Sequence, residues 1–277
     1  LLPTFKVGNT YRMVTTSEIR IQPEKKPSRV VQLRQQARFD AKPRVGFGAG
    51  NGVAIRGYTE RLEVTIETDG KTLVYDSLDE KTHGSPMGRH LQSSVNRYVD
   101  LELNRRSRIL EKKEGGPVGA ATPLPGMPRF GPDELVQLIN SLPQGFSPDP
   151  VRGGDEWVLK GKRSVGEMGE LEFDVTYKYW GPEPYDEFTC EAITFNGYIT
   201  GDISDIDNET AEKRRIDFQK SRISGKMLFD KQLGMSRYAE QQVYMVVNEP
   251  AITGEEKTST TINQKIETKL LQVVVRK

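Results

Sequence analysis

The sequence predicts a mainly β protein: two related antiparallel β-rich halves, built as curved sheets or half-barrels, with one short amphipathic helix near 132–142. Three observations carry this. Apolar and polar residues alternate with period two over most of the chain. A Pro/Gly-rich stretch divides it near the middle. Two short motifs recur in the same order on either side of that stretch.

The alternation is explicit. Leu62, Val64 and Ile66 interleave with Arg61, Glu63, Thr65 and Glu67, and Phe173, Val175, Tyr177 and Tyr179 interleave with Asp174, Thr176 and Lys178. Strict alternation places one set on the core side of a strand and the other in water. Asp69-Gly70, between Ile66 and Leu73, is a tight hairpin signal. Val99, Leu101 and Leu103 alternate with Asp100 and Glu102. Near the end Ile262, Ile266, Leu270 and Val274 share one parity, and the β-branched content around them favours strand over helix.

Residues 115–132 hold five glycines and five prolines among eighteen positions, a composition that excludes regular structure. Gly131-Pro132-Asp133-Glu134 then opens a helix, with Pro in the first turn and acids at the positive end of the dipole. Leu135, Val136, Leu138, Ile139 and Leu142 supply its apolar face, and Pro143 stops it. The expected organisation is therefore a first β-rich repeat over 1–114, a linker with a short helix over 115–143, and a second repeat over 144–277. The loop Gly46–Gly52 is expected to join two strands of one sheet.

The recurring motifs are Lys6-Val-Gly8-Asn9-Thr-Tyr11 with Arg152-Gly-Gly154-Asp155-Glu-Trp157, and the strand–polar turn–strand runs Leu103–Ile109 and Phe229–Met235. In the first motif, Gly gives the turn its backbone freedom, Asn or Asp bonds that backbone, and the aromatic side chain anchors the first core-facing position.

Composition bounds the function. The 277 residues are 35% hydrophobic and 29% charged, which suits a sheet with one wet face. A net charge of +1 gives no electrostatic case for nucleic acid. Lys25, Lys26, Arg29, Arg34, Arg38, Lys42 and Arg44 read as a solvated strand face with its loops. No stretch of about 20 apolar residues exists, so no transmembrane segment is expected. The start at Leu1-Leu2-Pro3, without Met, reads as a processed or trimmed N-terminus.

Compact chemistry is not visible. There is no phosphate-binding G-x-x-x-x-G-K-[ST] motif, no G-x-S-x-G elbow, and no His or Cys cluster at zinc spacing. His83 and His90 read as loop histidines. Cys190, the single cysteine, reads as a small buried hydrophobe. Asp202, Asp205, Asp207 and Glu209 form the one metal candidate, for calcium, although the spacing departs from an EF-hand and Lys213, Arg214 and Arg215 sit close by. No other cofactor is expected. Trp157, Tyr179, Trp180 and Tyr185 are close enough in sequence to line a sugar platform, with core and turn roles as the simpler reading.

The paired Gly–x–x–aromatic openings (Gly8 with Tyr11, Gly154 with Trp157) and the runs Asn104–Ile109 and Asp230–Met235 resemble a family of uncharacterised bacterial extracytoplasmic β-repeat proteins. More loosely, the pattern is similar to lipoprotein-carrier half-barrels, curved sheets that hold acyl chains. The resemblance implies a bacterial periplasmic, cell-envelope or secreted protein and brings no catalytic residues.

The leading expectation is a non-enzymatic protein that acts by binding or self-assembly, forming a homo-oligomer or larger assembly with possible peripheral envelope association. Its free edges and unpaired N-terminal segment would add strands to neighbours. Two alternatives stand beside it. One is a carrier of a lipid or other apolar ligand in a half-barrel concavity, and the other is a hydrolase whose site is assembled in space.

Overall fold

The computed structural model describes residues 2–43, 52–95, 97–104, 106–116, 132–141, 145–147, 149–164, 169–206, 213–249 and 258–275. Six strands precede the linker: β1 (Asn9–Pro23), β2 (Arg29–Pro43), β3 (Val53–Thr68), β4 (Lys71–Asp76), β5 (Tyr98–Leu103) and β6 (Ile109–Gly115). Six follow it: β7 (Glu156–Ser164), β8 (Gly169–Tyr185), β9 (Phe188–Ile206), β10 (Lys213–Asp230), β11 (Met235–Glu249) and β12 (Thr258–Val275). All pair antiparallel in one unclosed sheet of order β6-β5-β3-β2-β1-β12-β11-β10-β9-β8-β7, with β4 beside the end of β3. The mainly β expectation holds, and the two halves are continuous because β1 pairs with β12 from Asn9↔Val275 to Pro23↔Thr260.

Three short helices occur among the described residues, where the sequence reading expected one. α1 (Glu80–His83) and α2 (Pro86–Val95) replace the expected loop around His83 and His90. Asp79 caps α1 by accepting the Lys81 amide at 3.1 Å, and the Ser85 hydroxyl caps α2 by accepting the Gly88 amide at 2.9 Å. Pro86 stands at the first helical position, where its missing N–H costs nothing. The third, α3 (Pro132–Ser141), is the expected helix.

The repeated opening motif has the same backbone geometry in both halves. Gly8 and Gly154 have φ of 87° and 94°. Their amides donate to Ala41 and Tyr179 of the neighbouring strand, while the Asn9 and Asp155 amides donate back to Lys6 and Arg152. The hairpin at Asp69-Gly70 has φ of 52° and 71°, as the Asp-Gly pair demands. One sequence detail is corrected. A bulge at Leu271, opposite Arg12 and Met13, turns the strand over, so Val273 rather than Val274 continues the face of Ile262, Ile266 and Leu270.

The sheet curls strongly at one end. β5 and β11 lie five strand positions apart, about 24 Å across a flat sheet. Yet the Ser107 hydroxyl, in the β5–β6 turn, donates to the Pro3 carbonyl at 2.6 Å, and the Thr4 amide donates to the Gly234 carbonyl, in the β10–β11 turn, at 2.8 Å. The Pro3 carbonyl and Thr4 N–H belong to one peptide unit, so the two turns are about 8 Å apart. Lys6 adds a bond to the Gln232 carbonyl at 2.9 Å. The N-terminal segment, expected to be unpaired, is thus the tie that draws this end together.

Phe5 follows the tie and packs edge-on against Tyr11, with ring centroids 5.0 Å apart, and beside Phe39. Both lie on the face that curls inward. There they join Met13, Ile55, Leu101, Met235 and, from α3, Leu135 and Ile139 in the main core. A second core on the same inner face lies farther along the strands. It holds Val31, Leu62, Val64, Ile66 and Tyr75 beneath Met87 and Leu91 of α2. The outer face of the first half is a lattice of ion pairs, including Arg12–Glu60, Arg38–Asp40, Arg56–Asp100 and Arg61–Asp76.

Asp230 holds the tie's second anchor. Its carboxylate accepts the Gln232 and Leu233 amides and pairs with Arg237 at 2.7 Å. Burial alone would raise its pKa, but the Leu233 amide and the Arg237 guanidinium outweigh that and hold it below the ordinary value. Its contribution is therefore present above the unfolded-state pKa of about 4 and is lost as pH falls through the lower folded-state value. Asp230→Ala should cost about 3 kcal/mol, read from urea denaturation at neutral pH. The loss of stability on acidification should also be shallower in the variant.

Candidate functional site

The inner face of the second half differs from that of the first in having no helix across it among the described residues. Pairing registers place its side chains in cross-strand rows. One row runs Trp157, Tyr177, Phe195, Gly225, Gln241, Ile266 from β7 to β12, and the next runs Leu159, Val175, Gly197, Ile223, Val243, Gln264. A third contains Phe173, Ile199, Ser221 and, across β11 and β12, Met245 beside Ile262. No charged side chain stands in these rows. Val175 and Val243 are buried, whereas Leu159, Phe173, Ile199, Ile223, Met245, Ile262 and Ile266 are only half-buried. The equivalent surface of β2 and β3 lies beneath α2.

Toward the curled end this trough is closed. Phe146, just beyond the linker helix, packs edge-on against Phe229 with centroids 5.0 Å apart, over Tyr179, Ile193 and Met227. Beside them the buried Glu191 carboxylate accepts the Tyr179 hydroxyl and pairs with Lys231 at 2.5 Å. Trp157, Tyr177 and Phe195 form the step between this plug and the open surface. Trp157 and Tyr177 stack at 5.8 Å with planes 11° apart, and Phe195 follows at 5.4 Å.

Glycines let these rings lie flat. A Cβ at Gly161 would run into the Phe173 ring, and one at Gly225 would run into Phe195. Each aromatic residue is paired with its glycine across the strand boundary. Phe39 over Gly57 repeats the device in the first half. The result in the second half is a smooth apolar floor.

The arrangement offers burial, not chemistry. Among the described residues no three His, Cys, Asp or Glu side chains gather at metal-binding distance. Asp202 and Asp205 belong to β9, where their backbones pair with Asp217 and Arg214. Their side chains, with Asp207 and Glu209 as a whole, lie outside the described residues. Cys190 is buried with Ala192 and Leu228 on the outer face, where burial pushes its thiol pKa up, as befits a packing residue. His83 bonds the Ser77 carbonyl at 3.2 Å beside Tyr75.

The four aromatic residues weighed as a sugar platform, with core and turn roles as the simpler reading, are split between faces. Trp157 and Tyr179 line the trough and plug. Trp180 lies on the outer face against Lys178, and Tyr185 stacks on Tyr238. The alternation in β8 signals half of the trough in advance. The contribution of Val243, Met245 and Ile223 depends on which strands become neighbours, and nothing local in their sequence shows that.

No protein-family model matches the chain, and no curated protein matches it. Among solved structures it is similar to one described as lipid–protein interactions in lipovitellin, with TM-score 0.48 and 10% identity over 99% of this chain and 26% of that one. The chain thus spans about a quarter of the lipovitellin chain. It is also similar to a putative exported protein with a YmcC-like fold from Bacteroides fragilis, with TM-score 0.33 and 9% identity over 99% and 98% of the two chains. A third likeness is to the translocator domain of the autotransporter NalP from Neisseria meningitidis, with TM-score 0.19 and 6% identity over 96% and 89%.

The trough and its neighbours make a pH signature. Burial pushes Tyr75 and Tyr177 up to about 12, and burial together with the bond to Glu191 does the same for Tyr179. These groups favour the folded state while protonated. Their stabilisation is present below the unfolded tyrosine pKa of about 10 and is lost as pH rises from there toward 12. Absorbance titration should show at least three of the ten tyrosines ionising late, together with unfolding. Tyr177→Phe, which keeps the ring, should remove one late tyrosine.

Proposed function

We propose that the protein is a non-catalytic binding protein whose inner trough holds an apolar ligand, with lipid acyl chains the natural occupant. The observation that carries this is the three uncharged rows on the inner face of β7–β12, whose large apolar side chains stay half-buried while the matching face of the first half is covered. Contiguous exposed apolar surface is costly to keep unless something binds there. From Tyr177 to Phe173 the open floor runs about 13 Å along β8, close to one leaflet's depth of acyl chain, about 15 Å. An extracytoplasmic bacterial setting goes with this reading, and cell fractionation tests it.

Self-assembly by strand addition is the second reading, and the edges speak against it. β6 carries Glu111, Lys112, Lys113 and Glu114 in mutual ion pairs, and the opposite edge, β7, carries Lys160 paired with Asp174. Charged edges of this kind resist pairing with another sheet.

Native mass spectrometry of protein purified without detergent should show bound lipid, released on unfolding. The delipidated protein should bind the apolar fluorophore N-phenylnaphthylamine and release it to oleate. Ile266→Glu places a charge on the trough floor and should weaken fluorophore binding at least about tenfold while the far-ultraviolet dichroism is unchanged. Failure of the wild type to bind either ligand, or equal binding by the folded variant, would overturn the assignment.

A further inference from the structure

The outer face of the second half carries a different surface, and its geometry points to a carbohydrate-binding site across β8–β11, separate from the trough. Three observations converge on it.

The first is exposed aromatic rings on one face. Tyr198 on β9, Arg222 on β10 and Tyr244 on β11 are direct cross-strand neighbours. Tyr198 is 59% and Tyr244 40% exposed. They are two strand spacings apart, about 10 Å, close to the length of a disaccharide. Trp180, 58% exposed, stands three cross-strand rows along the same face, beyond the charged row Lys178, Thr194, Lys226, Glu240. It is held in place because its Nε1–H donates to the Thr194 hydroxyl at 2.9 Å and Lys178 lies 4.6 Å from its ring centre.

The second is the row next to Tyr198, Arg222 and Tyr244, on the side toward Trp180. Registers align Thr176, Asn196, Ser224 and Gln242 across β8–β11, an uninterrupted stripe of hydroxyl and amide side chains without a charge. Asn196, Ser224 and Gln242 are all exposed. Such groups donate and accept at once, which matches the hydroxyls of a sugar. The Tyr198 and Tyr244 rings beside it offer apolar faces for the sugar's C–H surface.

The third is contrast. On the outer face of the first half, Arg12, Arg34, Arg38, Arg56 and Arg61 are each tied to a carboxylate. Here the side chains of Tyr198, Arg222, Tyr244, Asn196, Ser224 and Gln242 make no hydrogen bond or ion pair with another described residue. A surface kept unpaired among the described residues across three strands, with large rings held out of any core, is arranged to meet a hydroxyl-rich partner.

Affinity electrophoresis tests this, with the full chain run through gels containing xylan, mannan, dextran or hydroxyethyl cellulose, and co-sedimentation with insoluble peptidoglycan as a fifth arm. Retardation or sedimentation by at least one polysaccharide is expected. Tyr198→Ala combined with Tyr244→Ala should weaken it at least about tenfold, and Asn196→Ala should weaken it in part. These side chains are exposed, so the thermal midpoint and N-phenylnaphthylamine binding should be unchanged, which separates this site from the trough. Retention by none of the five, or retention unaffected by the double substitution, overturns the proposal. Binding that survives excess soluble oligosaccharide and needs a protein component of the wall marks a protein partner and overturns it as well.

Discussion

The pairing of β1 with β12 is the constraint on which the rest of the molecule depends. It joins the two ends of the chain in the middle of the sheet and leaves β6 and β7, consecutive in sequence, at the two far edges. The segment between them must then cross the sheet. α3 and Phe146 are deposited on the inner face along that route, and they supply the apolar plug where the strands crowd together. The Pro3–Thr4 peptide completes the arrangement by tying turns that a flat sheet would hold far apart. A pairing between the chain's first and last strands is costly in loop entropy until most of the sheet exists. The curl is therefore a cooperative property of the whole chain.

The same constraint distributes burial unevenly. The first half receives α3 at one end and α2 at the other, with a polar seam between them where Gln35 bonds Thr59 at 2.8 Å and Thr15 meets Thr268 at 3.2 Å. That seam satisfies buried polar groups without leaving an apolar gap. The second half has longer strands and, among the described residues, receives only the plug. Its glycines thin the floor where flat aromatic rings cover them, so strand composition itself shapes the trough.

Much of the local structure was legible. Asp69-Gly70 specified its hairpin, Gly8 and Gly154 specified equivalent turns, and Phe173–Tyr179 specified which side chains face inward. The misses have physical causes. Ser85-Pro86 is a complete helix start, but Met87, Leu91 and Val95 are too few apolar positions to announce α2 against a Gly/Ser background. The bulge at Leu271 reverses parity without any Gly or Pro to mark it. The N-terminal tie depends on carbonyls at Pro3 and Gly234, and a carbonyl carries no sequence signal. Strand adjacency was the largest unknown, because alternation fixes a face and leaves the neighbour open.

The two faces of β8–β11 show how one stretch of sequence can present two chemistries. In a two-layer sandwich each inner residue finds a mate on the opposing sheet, and the outer face needs only charge to stay in water. Here the inner residues of the three rows lack that mate among the described residues, and the outer residues exceed that need. Phe195 lies on the floor while Asn196 stands in the outer stripe, and Val243 and Tyr244 divide in the same way. Because period two ties each inner residue to an outer neighbour, a shift of register by one would exchange the apolar floor and the hydroxyl stripe together. The bulge between Gln219 and Arg222 adds one residue to β10 against β11, and the pairing beyond it brings Ser221 inward and Arg222 outward. The register set there, and fixed at the other end by the tie through Gly234, decides which chemistry each face presents.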